Sequence, residues 1–127
     1  MERIFSGSPW EQRSGYARAV AGRDIVCISA TAATDEAGKV ICKGDLAGQT
    51  RVILQRMSGF LEEAGSDMAH VLQTRLYITD ITRAAEAGAA HAEAFAQAPP
   101  AMSLVHVLPF VDPEMLVEIE LIAERRR

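Results

Sequence analysis

The sequence predicts one α/β domain spanning residues 1–127, with a mixed β-sheet carrying two helices on a single face. Three observations predict it. Apolar residues recur at helical spacing over residues 46–64 and again in the alanine-rich run that begins near Thr82. Alternating, strand-like segments precede, separate and follow these two runs. No stretch between them has the composition of a linker or a low-complexity tract. With 127 residues, 49% of them hydrophobic, the chain can bury a core without covalent staples.

In chain order, "YARAV", "AGRD" and "IVCISA" read as strand, turn and strand, the turn supplied by Gly22 and Asp24. "TDEAGKV" is a second turn, with Asp35 and Gly38 ahead of a short strand around Val40 and Ile41. Asp45 is an N-cap for the first helix, in which Leu46, Ile53, Met57, Phe60, Leu61 and Ala64 form the apolar stripe. Gly65 follows, as a helix-terminating glycine does. "GDLAGQT" lacks the lysine and spacing of a phosphate-binding loop and reads as a capped helix start. "HVLQTRLYIT" is the next strand, with Leu72, Thr74, Leu76 and Ile78 on one face and Gln73, Arg75 and Tyr77 on the other. "TRAAEAGAAHAEAFAQA" is the second helix, started by Asp80 or Thr82 and ended by Pro99 and Pro100. "PPAMSLVHV" then alternates as a strand. Ser103, Val105 and Val107 are read as its core face, and Met102, Leu104 and His106 as its other face. After the turn "LPFVDPEM", "LVEIELIA" closes the sheet with Val117, Ile119 and Leu121 inward and Glu118 and Glu120 outward.

Two helices cover one face of such a sheet. The other face would collect Gln73, Arg75, Tyr77, Met102, Leu104, His106, Glu118 and Glu120, too apolar for water and too charged for a dry core. That mixture predicts a homo-oligomer packed through its sheet faces. Net charge is −4, and the one basic run is Arg125, Arg126 and Arg127, read as a solubilising, frayed end; nucleic acid is not an expected partner. No apolar run reaches membrane-spanning length, and the N-terminus lacks a signal-peptide core, so the expected location is cytoplasmic. Cys27 and Cys42 match no zinc or redox spacing and read as free thiols, Cys27 as a small buried hydrophobe. His70, His91 and His106 show no metal-binding spacing, so no metal site is expected.

Several segments together resemble the YjgF/RidA family: "SGYARAV", "VCISATAATD", "QTRVIL", "TRLYITD" and "VEIELIA", in this order along nearly the whole chain. "SPWE" and "DPEMLVEIE" are similar to a branch distinct from the family's best-known deaminases. The resemblance implies a chorismate-mutase-like α+β fold and a homotrimer with small-molecule clefts between subunits. It also implies hydrolysis of reactive enamines and imines to keto acids and ammonia, with no metal and no cofactor. Position by position, it gives Tyr16 and Ser29 as substrate-holding residues and Glu118 as the group that orients the attacking water. The family's carboxylate-gripping arginine is replaced by Met102, its cysteine two residues on by Leu104, and its helical asparagine by Ala89.

A thioether cannot reproduce a guanidinium fork, and losing one charge-assisted bond forfeits about 1.5–3 kcal/mol. Three consequences stay open: the substrate lacks a carboxylate, another cation holds it, or the cleft does other work. Arg75 could be that cation or could pair with Glu118 or Glu120. Glu118 and Glu120 are otherwise the polar face of an amphipathic strand. Trp10 either closes over a ligand or fastens the N-terminus. The leading expectation is an imine or enamine hydrolase whose substrate is not a standard 2-imino acid. The alternative is a trimeric small-molecule-binding module without turnover.

Overall fold

The protein is described by a computed structural model covering residues 1–126. Strands β1 (Glu2–Ile4), β2 (Ala19–Ala21), β3 (Ile25–Thr31), β4 (Val71–Ile78), β5 (Ala101–His106) and β6 (Val117–Glu124) form one sheet in the order β1-β2-β3-β6-β4-β5. Every pairing is antiparallel except β4 with β5, so the sheet is mixed as expected. Helix α1 (Pro9–Ser14) precedes β2, α2 (Leu46–Glu63) packs on β3 and β6, and α3 (Ala84–Ala94) packs against α2.

Helix α2 follows its sequence signals closely. The Asp45 carboxylate accepts the Gly48 N–H at 2.8 Å, and Gly65 beyond the C-terminus has a φ of 80°. Gly48 leaves room for that cap, since a Cβ there would stand 2.3 Å from Asp45 Oδ2. The core lies between α2, α3 and one sheet face, where Ile53, Met57, Leu61, Leu76, Ile78, Val117 and Ile119 are buried. Gln49, fully buried, donates to the Glu114 carbonyl at 2.9 Å and accepts the Leu116 N–H at 2.9 Å. It thereby fixes the loop that leads into β6. The His91 ring meets the Thr74 hydroxyl at 2.8 Å, which joins α3 to the helix side of β4; burial keeps His91 below its ordinary pKa.

Several expectations are corrected. Most important is β5. Its register pairs Met102, Leu104 and His106 with Thr74, Leu76 and Ile78, so these three share the helix-side face, and Leu104 packs against the core. Ser103 and Val105 pair with Arg75 and Tyr77 on the open face instead. An edge strand with apolar residues in both phases does not announce which phase is inward. A register shift against β6 likewise buries Val71 and leaves Leu72 exposed. The second helix starts later and stops earlier than its pattern: a 3-10 turn, Ile81–Arg83, is capped by Asp80, and α3 ends at Ala94 before the prolines. Val40 makes one isolated bridge with Thr34 rather than a strand. Strand β1 and helix α1 were not foreseen; Ser8 caps α1 by accepting the Trp10 N–H, and Gly15 closes it in the left-handed region at φ 69°. Cys27 is exposed, not buried. The basic end is held down: Arg125 donates to the Gly22 carbonyl and Arg126 pairs with Glu62 and Asp67. Arg127 lies outside the described residues.

Candidate functional site

A cavity of about 640 Å³ opens where β3 ends and β6 begins, bordered by the segment before β2 and by residues from both flanking loops. Its floor is a polar cluster that begins with local structure. Helix α1 carries Glu11 inward, leaving it 3% exposed. The Glu11 carboxylate accepts the Ser6 N–H at 2.9 Å, the Ser6 hydroxyl and the Arg18 Nε–H at 3.1 Å. Burial alone would raise the Glu11 pKa; the Ser6 and Arg18 bonds outweigh it and hold the carboxyl below its ordinary value.

Arg18, 6% exposed, spends the rest of its fork on the end of β3. Its Nη1 donates to the Ala30 carbonyl at 2.6 Å and to Thr31 Oγ1 at 3.2 Å, and its Nη2 donates to the Tyr16 hydroxyl at 3.2 Å. The guanidinium also sits 5.4 Å from the Tyr16 ring centroid. Because the Tyr16 oxygen accepts from Arg18, its own O–H remains available to donate into the cavity.

Glu118, second residue of β6, lines the same cavity. Its carboxylate makes no hydrogen bond or ion pair within the described residues. Burial raises its pKa above the usual glutamate value, and Arg18 only partly opposes that. A partly desolvated, unbonded carboxyl facing a cavity holds its proton more readily than an ordinary glutamate, which suits it to take up and return one. Trp10 is half exposed at the mouth, with Arg13 5.6 Å from its ring centroid. Arg56 of α2 reaches the opposite wall.

The structure therefore brings together Trp10, Tyr16 and Glu118 from the expected set, and does not bring Ser29, Arg75, Met102 or Leu104 to them. The Ser29 hydroxyl donates to the Ala17 carbonyl at 2.8 Å and ties β3 to the segment before β2. Arg75 pairs with Glu120 at 3.4 Å on the open sheet face and does not reach Glu118. Met102 and Leu104 lie on β5, across the sheet from Glu118. A smaller hollow of about 170 Å³ on the open face is walled by Cys27, Gln73, Arg75 and Glu120, and there the guanidinium and carboxylate pair with each other at 3.4 Å. Among the described residues, no cluster of three His, Cys, Asp or Glu side chains could hold a metal ion, and no helix is long and apolar enough to cross a membrane. Sequence reasoning missed Glu11, Arg18 and Arg56. The one available signal was a charged pair inside "PWEQRSGYAR", where Glu11 and Arg18 flank a glycine.

Comparison with known proteins converges on one family. The family model described as Endoribonuclease L-PSP matches residues 8–125. Protein SCO2049 of Streptomyces coelicolor is 34% identical over 125 residues, covering 98% of this chain and 92% of its own. The RutC family protein PH0854 of Pyrococcus horikoshii is 31% identical, covering 96% of each chain. The crystal structure of Rv2704 from Mycobacterium tuberculosis, a member of the YjgF/YER057c/UK114 family, superposes with a TM-score of 0.87 at 38% identity, covering 97% of this chain and 98% of that one.

Proposed function

Since the chain belongs to the endoribonuclease L-PSP (YjgF/RidA) family, we propose that it hydrolyses small reactive imines or enamines in the cavity beside Glu118. The observation that carries this reading is the Glu118 carboxyl itself. It lines a cavity of about 640 Å³, makes no hydrogen bond or ion pair within the described residues, and has its pKa raised by burial. In the proposed reaction Glu118 takes a proton from water as the water oxygen bonds to the imine carbon. Glu118 returns that proton to nitrogen as the carbon–nitrogen double bond becomes single, giving a carbinolamine; it then takes the hydroxyl proton and passes it to nitrogen as the carbon–oxygen double bond forms and the carbon–nitrogen bond breaks. The sum is imine plus water giving carbonyl compound plus ammonia. The free Tyr16 O–H donates to the substrate, and Trp10 shields the mouth. A general acid–base group contributes about 10²–10⁴-fold in rate.

The same reading takes the chain as a homotrimer, the typical assembly of the family. The open sheet face supports it, since exposed Ile25, Cys27 and Val105 stand there beside Arg75 and Glu120. Met102 and Leu104, on edge strand β5, would then reach a cavity only across a subunit seam. The acidic rim of Asp35, Glu36 and Asp112 argues against a nucleic acid substrate.

The test is to supply freshly generated imines and read ammonia release from the wild type and Glu118→Gln. Hydrolysis above buffer that falls by about 10²-fold or more in the variant supports the reading. No hydrolysis by the wild type overturns it in favour of a ligand-binding module. Met102 at the family's arginine position favours that second reading, which predicts thermal stabilisation by ligands without turnover. Light scattering that shows a lone 13.8 kDa particle would remove the trimer.

A further inference from the structure

Helix α1 inverts the usual burial of a surface helix. Its one buried residue is Glu11, a carboxylate, while Trp10, its one large apolar side chain, stands half exposed at the cavity. Polar bonds hold the helix in place: Ser8 caps it, and Ser6 and Arg18 grip Glu11. The indole is thereby fixed in position yet left uncovered. Arg13, which does not line the cavity, lies 5.6 Å from its ring centroid. Among the described residues no second aromatic ring meets the indole, and its Nε1–H makes no hydrogen bond.

A second apolar wall of the same cavity comes from the loop over residues 107–116, where Phe110 and Met115 are half-buried and Val111 is exposed. Here too a buried polar side chain fixes apolar ones from beneath. Gln49 binds the Glu114 carbonyl and the Leu116 N–H, on either side of Met115, and Asp112 accepts the Glu114 N–H at 2.9 Å. The volume of about 640 Å³ lies in the range that drug-sized ligands fill, so an imine of acetone size would leave much of both walls in water.

We propose that Trp10, with Phe110 and Met115, forms a subsite that takes an aromatic ring carried by the ligand. A planar ring stacks on an indole, and a thioether sulfur adds a favourable contact at the ring edge. Asp35, Glu36 and Asp112 also line the cavity and repel anions, so the ring it takes is uncharged. The substrate class narrows to imines or enamines that bear a neutral aryl group, an inference that rests on the reading of this cavity as the ligand site.

Heteronuclear NMR titration of the full chain with phenylacetone and with cyclohexylacetone tests this without requiring turnover. The two ketones share a carbon skeleton and differ in whether the ring is planar and aromatic. Trp10 is the chain's single tryptophan, so one indole N–H signal reports on the subsite. Phenylacetone is expected to shift that signal saturably and to bind about threefold or more tightly than cyclohexylacetone, the worth of an aromatic pair beyond its buried area. Trp10→Leu keeps an apolar side chain and is expected to abolish the preference, read from backbone amide shifts; Trp10→Phe is expected to retain part of it. No saturable indole shift, equal wild-type affinities, or a preference that survives Trp10→Leu overturns the subsite. The wild-type readings decide even where a variant fails to fold. The two proposals fail separately. Ring binding at Trp10 without imine hydrolysis sinks only the catalytic reading. Imine hydrolysis with an indole signal that ignores phenylacetone sinks only the subsite.

Discussion

Two clusters of the same three residue types stand at different places in the sheet. At the cavity, Glu11, Arg18 and Tyr16 form a chain in which Arg18 binds the carboxylate, two groups at the end of β3 and the phenol. On the open face, Arg75 and Tyr77 both meet Glu120, and the Arg75 contact is the longer at 3.4 Å. The first pair has side chains 7% and 3% exposed, the second 42% and 33%. Identical chemistry thus serves two ends. Buried and anchored to the Ala30 carbonyl and Thr31, it fixes the cavity floor; half-exposed, it leaves the polar part of the surface that the proposed trimer would cover. Water decides the difference, because it screens the exposed pair and leaves the buried pair no substitute partner.

The strongest way to break this comparison is to delete one buried partner. Arg18→Ala leaves the Glu11 carboxylate buried with only Ser6, and is expected to cost about 3–5 kcal/mol of unfolding free energy. Urea denaturation checks it. A loss below about 1 kcal/mol would put the cavity cluster in the same class as the open-face one. Arg75→Ala is the matched experiment. In the dispersed chain it should cost no more than about 1 kcal/mol, since the pair is more than a third exposed. Its larger expected effect is on assembly, read as a shift of the sedimentation profile toward smaller species. A large loss of stability with assembly intact would reverse the assignment.

How much of this was legible in the sequence depends on the distance over which the determining contact acts. Helix α2 was legible because its signals are local: the Asp45 cap, the apolar stripe and Gly65 lie within or beside the helix itself. Strand β6 was legible in extent because its inward Val117, Ile119 and Leu121 are apolar, and β4 because Leu76 and Ile78 alternate with Arg75 and Tyr77. The face of β5 was not, because Met102, Leu104, Val105 and Val107 are apolar in both phases, and only the pairing of Leu104 with Leu76 selects one. The Asp80 cap was legible, but the 3-10 turn it opens delayed α3. At the site, Glu118 and Tyr16 were reached through family resemblance, whereas alternation alone made Glu118 another solvent-facing glutamate. Arg18 was hidden inside a strand-like "YARAV", and its function depends on α1, a six-residue helix with no long stripe to reveal it. Arg56 acquires its place from a contact with Thr34 across 22 residues, which no local pattern encodes.

The smallest expected effect sharpens the comparison within the site itself, because Glu11, bound to Arg18, and Glu118, in the cavity wall, should respond to pH with opposite sign. Glu11 has a folded-state pKa below its unfolded value. Its contribution is therefore present above the unfolded value, near 4.5, and is lost as pH falls through the lower folded value. Glu118 has a folded-state pKa above its unfolded value. Its protonated form favours folding, so stability is fully present below about 4.5 and is lost as pH rises through the higher folded value. Glu11→Gln should consequently destabilise at pH 7 and do so less at pH 3. Glu118→Gln should stabilise at pH 7, by removing a desolvated charge, and lose that advantage as the pH falls below 4.5, where Glu118 is protonated in both states. Urea midpoints of both variants and the wild type across that range read the two slopes directly. If Glu118→Gln were the less stable protein at pH 7, the carboxylate would have to be held by partners in the folded state, and a group so held would be a poor acceptor for the proton of an attacking water.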